Sequence, residues 1–539
     1  MKAAQSPQNP PVRRTAAPCL SEQVPTRAGW RPVLGFQRCE TTTSIRRVEN
    51  DDQNVAHADR SVEREDLQQW LAETGSRHGR CDRKGDGAKL GEIGVASTED
   101  MSAAAAAARK AQKEWAKLPG PNRGDVLREA SRLTLAHSEE IADQLVRETG
   151  SIRAKARWEI EMTAREFQEA AALASQPQGI LTATLEAGRQ SIARRIPVGV
   201  VGIITPWNSP FILGARAIAP ALAMGNSVIL KPDVQTPIIG GVTFARQLEK
   251  AGLPNGLFHV LPGDADTGAA LVKEPLINMI SFTGSTRVGR QVGAIAGGQL
   301  KRVSLELGGN SPYIVLDDAD IEAAASAGAW GAFFHQGQIC LTAGRHLVHE
   351  RVACAYVEAL VRRAKALVVG DPFDERVQVG PIVNERQAAN VDRIVAETVA
   401  KGGKVLTGGS RNGLFFEPTV ITGVTPGMAA FDEEIFGPVA PITTFRDDEE
   451  ALALANTTKY GLAAAVVSAD LARAKRIADG VHSGVVHIND QTVLYGVYGP
   501  IGGLGISGNG FGYGAVSNTD QFSEWQWITT RSQIPAYPF

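Results

Sequence analysis

The stretch from Pro197 to Leu307 constrains this chain most. PVGVVGIIT, Pro197 to Thr205, is a continuous apolar run, and a strand without polar alternation has to be covered on both faces. Ser227–Leu230, Leu257–Leu261, Ile277–Phe282 and Val303–Leu307 repeat that character. Helical stretches lie between them; Pro237 to Lys250, opened by Thr236-Pro237 and closed by Gly252, is one. Strand alternating with helix predicts an α/β fold built on a doubly wound parallel sheet, with ligands at the carboxyl ends of its strands. A second alternating region runs from Ser311 to about Gly510, with strands expected at Tyr313–Leu316, His346–Val348 and Val485–Ile488.

Around this centre the chain divides by character. Residues 1–87 are rich in Arg, Gln, Pro and Asp with little periodic pattern, which predicts a disordered or non-native segment. Ser97-Thr98-Glu99-Asp100 is a helix start, and further helices are expected at Arg123–His137, Ser138–Gly150 and Ile152–Ala174. Residues 179–197 read as extended, and QFSEWQWITT (Gln521–Thr530) alternates as a strand suited to another subunit's sheet.

Composition excludes several classes. The chain has 539 residues and a net charge of −2, so no basic field argues for nucleic acid or an anionic membrane. No apolar run reaches the ~18 residues of a membrane span, and the N-terminus has no signal-peptide core. Cys19, Cys39, Cys81, Cys340 and Cys354 have neither disulfide-scaffold density nor metal-ligand spacing. No metal is therefore expected, and a reducing cytoplasm is the simplest compartment.

Two stretches carry chemistry. In WGAFFHQGQICLTAGR a helix from about Asp320 is expected to place Trp330, Phe333 and Phe334 on one face and to stop at Gly337. Cys340 follows, where a thiol past a helix end can be accessible and activated; a buried structural cysteine is the competing reading. In LELGGN, Glu306 lies between two leucines, where burial raises a carboxyl pKa toward neutrality and suits a general base; an ordinary paired carboxylate is the alternative. FTGSTRVG follows a strand and opens a helix, so Gly284, Ser285 and Gly289 could cradle a phosphate, or simply turn the chain.

GQIC and LELGGN resemble the cysteine and glutamate signatures of the aldehyde dehydrogenase superfamily. TPWNSP, ILKP, FTGSTRVG, EEIFGP and PIGG stand in that family's order, and the resemblance runs from about Leu90 to Arg531. It implies a Rossmann-type cofactor domain (88–178 and 198–308), an α/β catalytic domain (309–510) and a small β oligomerisation element (179–197 and 520–539). Cys340 would be the nucleophile, Glu306 the base, and Asn208, with the Cys340 backbone N–H, the oxyanion donor. NAD or NADP would lie against Thr205, Pro206, Trp207, Lys231, Asp233, Gly284, Ser285, Gly289, Leu307, Glu434 and Phe436. The partners implied are a small-molecule aldehyde and further copies of the chain, as a homodimer or homotetramer.

FFHQGQICLTAGRHLVHERV and HINDQTV look most like the benzaldehyde, vanillin and salicylaldehyde dehydrogenase branch. The substrate funnel would then include Ser209, Ile212, Leu213, Trp330, Phe334 and Ile339, with Arg216 as a single candidate for a substrate carboxylate or a structural residue. Three features depart from a usual pattern, the first from the general dinucleotide fingerprint and the other two from the family's. The dinucleotide loop lacks a third glycine, itself usual for these enzymes. Asp233 precedes, and Val234 occupies, the place of the ribose-binding glutamate of many NAD-specific relatives, which leaves NAD and NADP both open. Leu494-Tyr495-Gly496-Val497-Tyr498 replaces residues that are usually polar and acidic. At the other end, codons for Cys81–Gly87 read one base out of frame can spell DVIERATG, close to how family members begin; an upstream frameshift would then have replaced the native first strands.

Overall fold

In the computed structural model residues 77–539 are described, except 511, 515 and 516. The expectation for the N-terminal segment lies outside the described residues as far as 76. Beyond that point the expectation of disorder does not hold, because Arg77–Asp82 is a strand, paired antiparallel with Lys89–Val95. Its turn is tied down locally: Arg83 N–H donates to Ala88 O at 2.8 Å and Lys84 N–H to Arg147 O at 2.9 Å. The Cys81 thiol donates to the buried Glu148 carboxylate at 3.1 Å. Polar ties of this kind leave no trace in hydrophobic periodicity.

The helices follow their caps. Thr98–Trp115 opens on a reciprocal box in which Asp100 N–H donates to Ser97 Oγ and Ser97 N–H to the Asp100 carboxylate. Gly120–Ala136, Ser138–Thr149 and Arg153–Leu173 complete the N-terminal helical layer. The expected helix over 237–250 is instead a π turn, Ile238–Val242, leading into a helix at Thr243–Lys250. Glu148 accepts the N–H groups of Ile238 and Ile239 at its start.

The first sheet has the spatial order Phe258–Val260, Ser227–Lys231, Val200–Ile204, Met279–Thr283, Arg302–Glu306, and every pairing is parallel. The order reverses at Val200–Ile204, so a crevice opens beyond the carboxyl ends of that strand and Met279–Thr283. The second sheet runs Lys404–Thr407, Thr419–Thr422, Val439–Phe445, Arg345–His349, Pro312–Val315, Ala463–Val467, Val485–Ile488; only its first pair is antiparallel. The chain after it does not stay with the second sheet. Gly508 bridges to Glu306, and the Tyr513 hydroxyl meets Ser281 Oγ at 2.5 Å, on the first.

A third sheet puts Gln190–Pro197 between Gly179–Leu181 and Ser523–Thr530. The tail strand, expected to suit another subunit's sheet, pairs along one edge within its own chain, in register from Ser523 opposite Pro197 to Thr530 opposite Gln190, and stands at the edge of this sheet. The Arg195 guanidinium lies 3.8 Å from the Trp525 ring, and Trp527 Nε1 donates to Ser191 Oγ at 2.8 Å. Among the described residues no helix is long and apolar enough to cross a membrane.

Candidate active site

Glu306 ends its strand at the crevice, and Asn208 lies between Val200–Ile204 and the helix Pro210–Ala223. The third position depends on an unusual backbone. The helix Ile321–Phe333, capped by Asp320, ends earlier than its pattern predicts, and Phe334–Gly337 forms a tight 3-10 turn. His335 and Gln336 there have φ of 50° and 57°, each costing ~1–2 kcal/mol for an L-residue. Side chains hold them: Gln336 Nε2 donates to Gly150 O at 2.8 Å and Pro381 O at 3.0 Å. Gln338 Oε1 accepts from Val383 N–H at 3.0 Å. At Gly337 a Cβ would lie 2.2 Å from Gly437 O. The turn also separates residues expected on one face, because Phe333 enters the core while Trp330, 51% exposed, stacks on Phe334 at 4.4 Å.

Asn208 is fixed from both ends. Its Nδ2 donates to Gln338 O at 2.8 Å, and its carbonyl accepts from Lys155 Nζ at 3.0 Å. An amide carries two donor hydrogens, so one remains for another acceptor. Lys155 is paired with Glu159, and both side chains are wholly buried. Glu159 Oε1 in turn accepts the N–H groups of Phe211 and Ile212, the open first turn of the helix after Asn208. Sequence reasoning missed this pair, since a Lys and Glu four apart on a helix ordinarily lie on its solvent face.

The glutamate and cysteine segments touch. A Cβ on Gly309 would lie 2.2 Å from Cys340 O, so no other residue lets LELGGN approach GQIC this closely. Burial pushes the Glu306 carboxyl up to about 7, against the opposing Arg216 charge and a Gly503 backbone N–H; its Oε1 has no partner. Burial also pushes the Cys340 thiol up to about 12; Arg216 and the residue's own N–H oppose this, while Glu434 and Glu306 add to it. Burial thus works against the activation expected of a thiol placed after a helix. Arg216 itself is 3% exposed, 3.9 Å from Glu306, with Nη2 donating to Thr283 Oγ1 at 3.0 Å and its guanidinium 4.5 Å from the Tyr513 ring.

The residues expected to hold a dinucleotide ring the same crevice. Ser285 caps the helix Thr286–Gly298, whose first turn carries no acid. Gly284 lies against the Phe282 ring, and Leu307 packs onto Gly289 where a Cβ would sit. Lys231 ends its strand buried, its amine pushed down by that burial against Asp233 and Asp264. Asp233 is held back in its own turn, accepting Gln235 N–H at 2.9 Å. Thr205 Oγ1 is buried without a partner. Glu434 accepts Gly309 N–H at 2.7 Å, and burial lifts it to about 7. Phe436, at φ 53°, meets the Trp207 ring edge-on at 5.5 Å, just after Pro206. A helix N-terminus, an amine, an orphaned hydroxyl and a carboxylate fit the pyrophosphate and ribose hydroxyls of a dinucleotide.

Of the expected funnel residues, Phe334 and Ile339 pack with Cys340 around Leu341, Leu462, Ala463 and Val493. Ser209, Ile212 and Leu213 are buried at the start of their helix. Val493 was not singled out from the sequence, although it directly precedes the divergent loop.

Comparison with known proteins agrees with this geometry. The aldehyde dehydrogenase family model matches residues 70–528. The chain is 49% identical over 454 residues to a vanillin dehydrogenase of Amycolatopsis sp., covering 84% of this chain and 93% of that one. It is also 49% identical over 450 residues to a benzaldehyde dehydrogenase [NAD(+)] of Pseudomonas putida, covering 84% and 92%. The crystal structure of an NAD-dependent aldehyde dehydrogenase from Sinorhizobium meliloti superposes with a TM-score of 0.84 at 36% identity, covering 86% of this chain and 94% of that one. A parallel sheet that reverses at a dinucleotide crevice, a glutamate at its edge and a cysteine loop pressed against it thus come with the matching sequence: the chain belongs to the aldehyde dehydrogenase family.

Proposed function

We propose that this protein oxidises aromatic aldehydes to carboxylic acids with NAD as acceptor, using Cys340 as nucleophile, Glu306 as base and Asn208 as oxyanion donor. The observation that carries this reading is the contact at Gly309, which presses the segment that carries Glu306 against the Cys340 backbone, with the Glu306 charge acting on the thiol. Ionised Glu306 takes the thiol proton, and the sulfur adds to the aldehyde carbon. The remaining Asn208 N–H and the Cys340 N–H face the resulting oxyanion, each donor contributing about 3 kcal/mol. Bound nicotinamide supplies the hydride acceptor, and a thioester is left on Cys340. Glu306 passes the thiol proton on to solvent and, ionised again, takes a proton from water, whose oxygen adds to the thioester carbon and expels the sulfur as thiolate as the acid forms.

Lys231, Thr205, Asp233 and Glu434 would hold the ribose hydroxyls, the Gly284–Gly289 turn the pyrophosphate, and Trp207 and Phe436 would border the nicotinamide end, with Pro206 and Leu307 completing the walls. The name of the Pseudomonas putida relative supports NAD. The names of both close relatives support an aromatic ring, as does the stacked Trp330–Phe334 pair. A carboxylate-bearing aldehyde is disfavoured, because Arg216 is already engaged with Thr283 and Glu306. The exposed side of the third sheet, with Leu181 and Trp527, suits assembly as a homodimer or homotetramer. A nucleophilic thiol suits the cytoplasm.

The test is a panel of aldehydes at fixed NAD with the acid product quantified. Benzaldehyde or a hydroxylated benzaldehyde should exceed acetaldehyde and succinate semialdehyde in kcat/KM by about tenfold or more. Preference for succinate semialdehyde would defeat the aromatic reading.

A further inference from the structure

The steps above leave one buried carboxylate beside the site without a task. Glu166, 2% exposed, projects from the helix Arg153–Leu173, the helix that also carries Lys155 and Glu159. Its Oε1 accepts the Tyr495 hydroxyl at 2.6 Å. Tyr495 belongs to the loop Leu494–Tyr498 that the family resemblance singles out. Two residues before it, Val493 packs in the cluster that contains Cys340, Phe334 and Ile339. Its ring is met edge-on by Trp158 at 6.2 Å, from the same helix as Glu166. The Arg216 charge acts on Tyr495 and Glu166 as well as on Glu306 and Cys340, so all five groups share one electrostatic neighbourhood. Arg216 Nε is buried without a partner there.

We propose that Tyr495, oriented by Glu166, is a specificity-determining residue that accepts a hydrogen bond from a hydroxyl on the substrate's aromatic ring. The phenol spends its proton on Glu166, which leaves oxygen lone pairs as the open capability of that group. Trp158 meets the Tyr495 ring, and Phe334, Ile339 and Val493 pack around Cys340, so apolar surface for a flat ring lies near both groups. A substrate without the hydroxyl removes water from the phenol oxygen and returns nothing, and a buried polar group left unpaired is how such sites reject an analogue. The substrate class is thereby narrowed from aromatic aldehydes to hydroxylated ones. The inference rests on the aromatic reading above.

The experiment compares benzaldehyde with 2-, 3- and 4-hydroxybenzaldehyde in the parent, in Tyr495→Phe and in Glu166→Gln, with acid product measured by chromatography. The parent should favour one hydroxylated isomer over benzaldehyde by about tenfold or more in kcat/KM. Tyr495→Phe keeps the ring against Trp158 and should cut kcat/KM for that isomer at least about fivefold more than for benzaldehyde, chiefly through KM. Glu166→Gln keeps an acceptor for the phenol proton and should retain more of the preference than Tyr495→Phe. A parent indifferent to the hydroxyl overturns the proposal, and so do equal losses on both substrates in Tyr495→Phe. Turnover of acetaldehyde with none of the four rings would instead bring down the aromatic reading itself.

Discussion

Cys340, Asn208 and Glu306 are held by groups that are themselves buried and paired, whereas Tyr495, Trp330 and Phe334 stand on a loop and a helix end that reach solvent. On the first side, Gln336 and Gln338 pin the cysteine turn, Lys155 holds the Asn208 carbonyl, and Gly508 closes on Glu306. On the second, Tyr495 has one hydrogen bond and one ring contact, and Trp330 has a single stacking partner. The difference teaches where change is tolerated. A substitution on the first side disturbs several fixed neighbours and should cost turnover; one on the second should redistribute activity among aldehydes.

The largest expected effect is that of Cys340→Ala, which should lower turnover by about 10⁴-fold or more while leaving NAD affinity intact. A thermal shift on adding NAD, beside an activity assay, separates the two. Residual turnover within tenfold of the parent would remove Cys340 from the mechanism.

Glu306→Gln comes next, with a steady rate about 100-fold lower. If the glutamate acts mainly on the thioester, a first-turnover burst of NADH survives; loss of the burst places its action at the thiol. With Glu306 as the proposed base and its carboxyl lifted to about 7, kcat/KM of the parent should be low below that pH and rise as the proton is lost. A flat profile between about pH 6 and 8 would mean another group is the base.

Lys155→Met tests whether the fixed side is fixed from below. It leaves Glu159 charged and buried alone, and breaking such a pair costs about 3–5 kcal/mol of stability. It also releases the Asn208 carbonyl, so kcat should fall about tenfold in whatever remains folded, with KM less changed. Unaltered kcat in a destabilised protein would confine the pair to folding. Trp330→Ala should have the smallest effect. It removes the ring face proposed to meet an aromatic substrate, a contact worth about 1 kcal/mol, so KM for benzaldehyde should rise about fivefold. A loss in kcat instead would place the tryptophan on the fixed side.

The five central strands were legible because burial on both faces leaves an unbroken apolar run, and the edges shifted by only a few residues. Cys340, Glu306 and Asn208 were legible through motif and resemblance, and the buried position of Glu306 followed from its leucine neighbours. The left-handed backbone at His335 and Gln336 was not, because two glutamine side chains and carbonyls far along the chain hold it. Lys155, Glu159 and Glu166 escaped for a related reason: nothing in a helical pattern distinguishes a buried carboxylate from a solvated one. The tail strand was read correctly as a strand, but its pairing with Gln190–Pro197 was not legible, since alternation specifies an element and not the edge it joins.

The setting of a sulfur also decides how the protein ages. Susceptibility to oxidation follows thiolate character and access. Burial works against the thiolate form of Cys340, while Cys354 lies exposed on the helix Glu350–Ala366. Dilute peroxide should therefore consume Cys354 first, and stored protein should gather sulfenic acid there well before its activity declines.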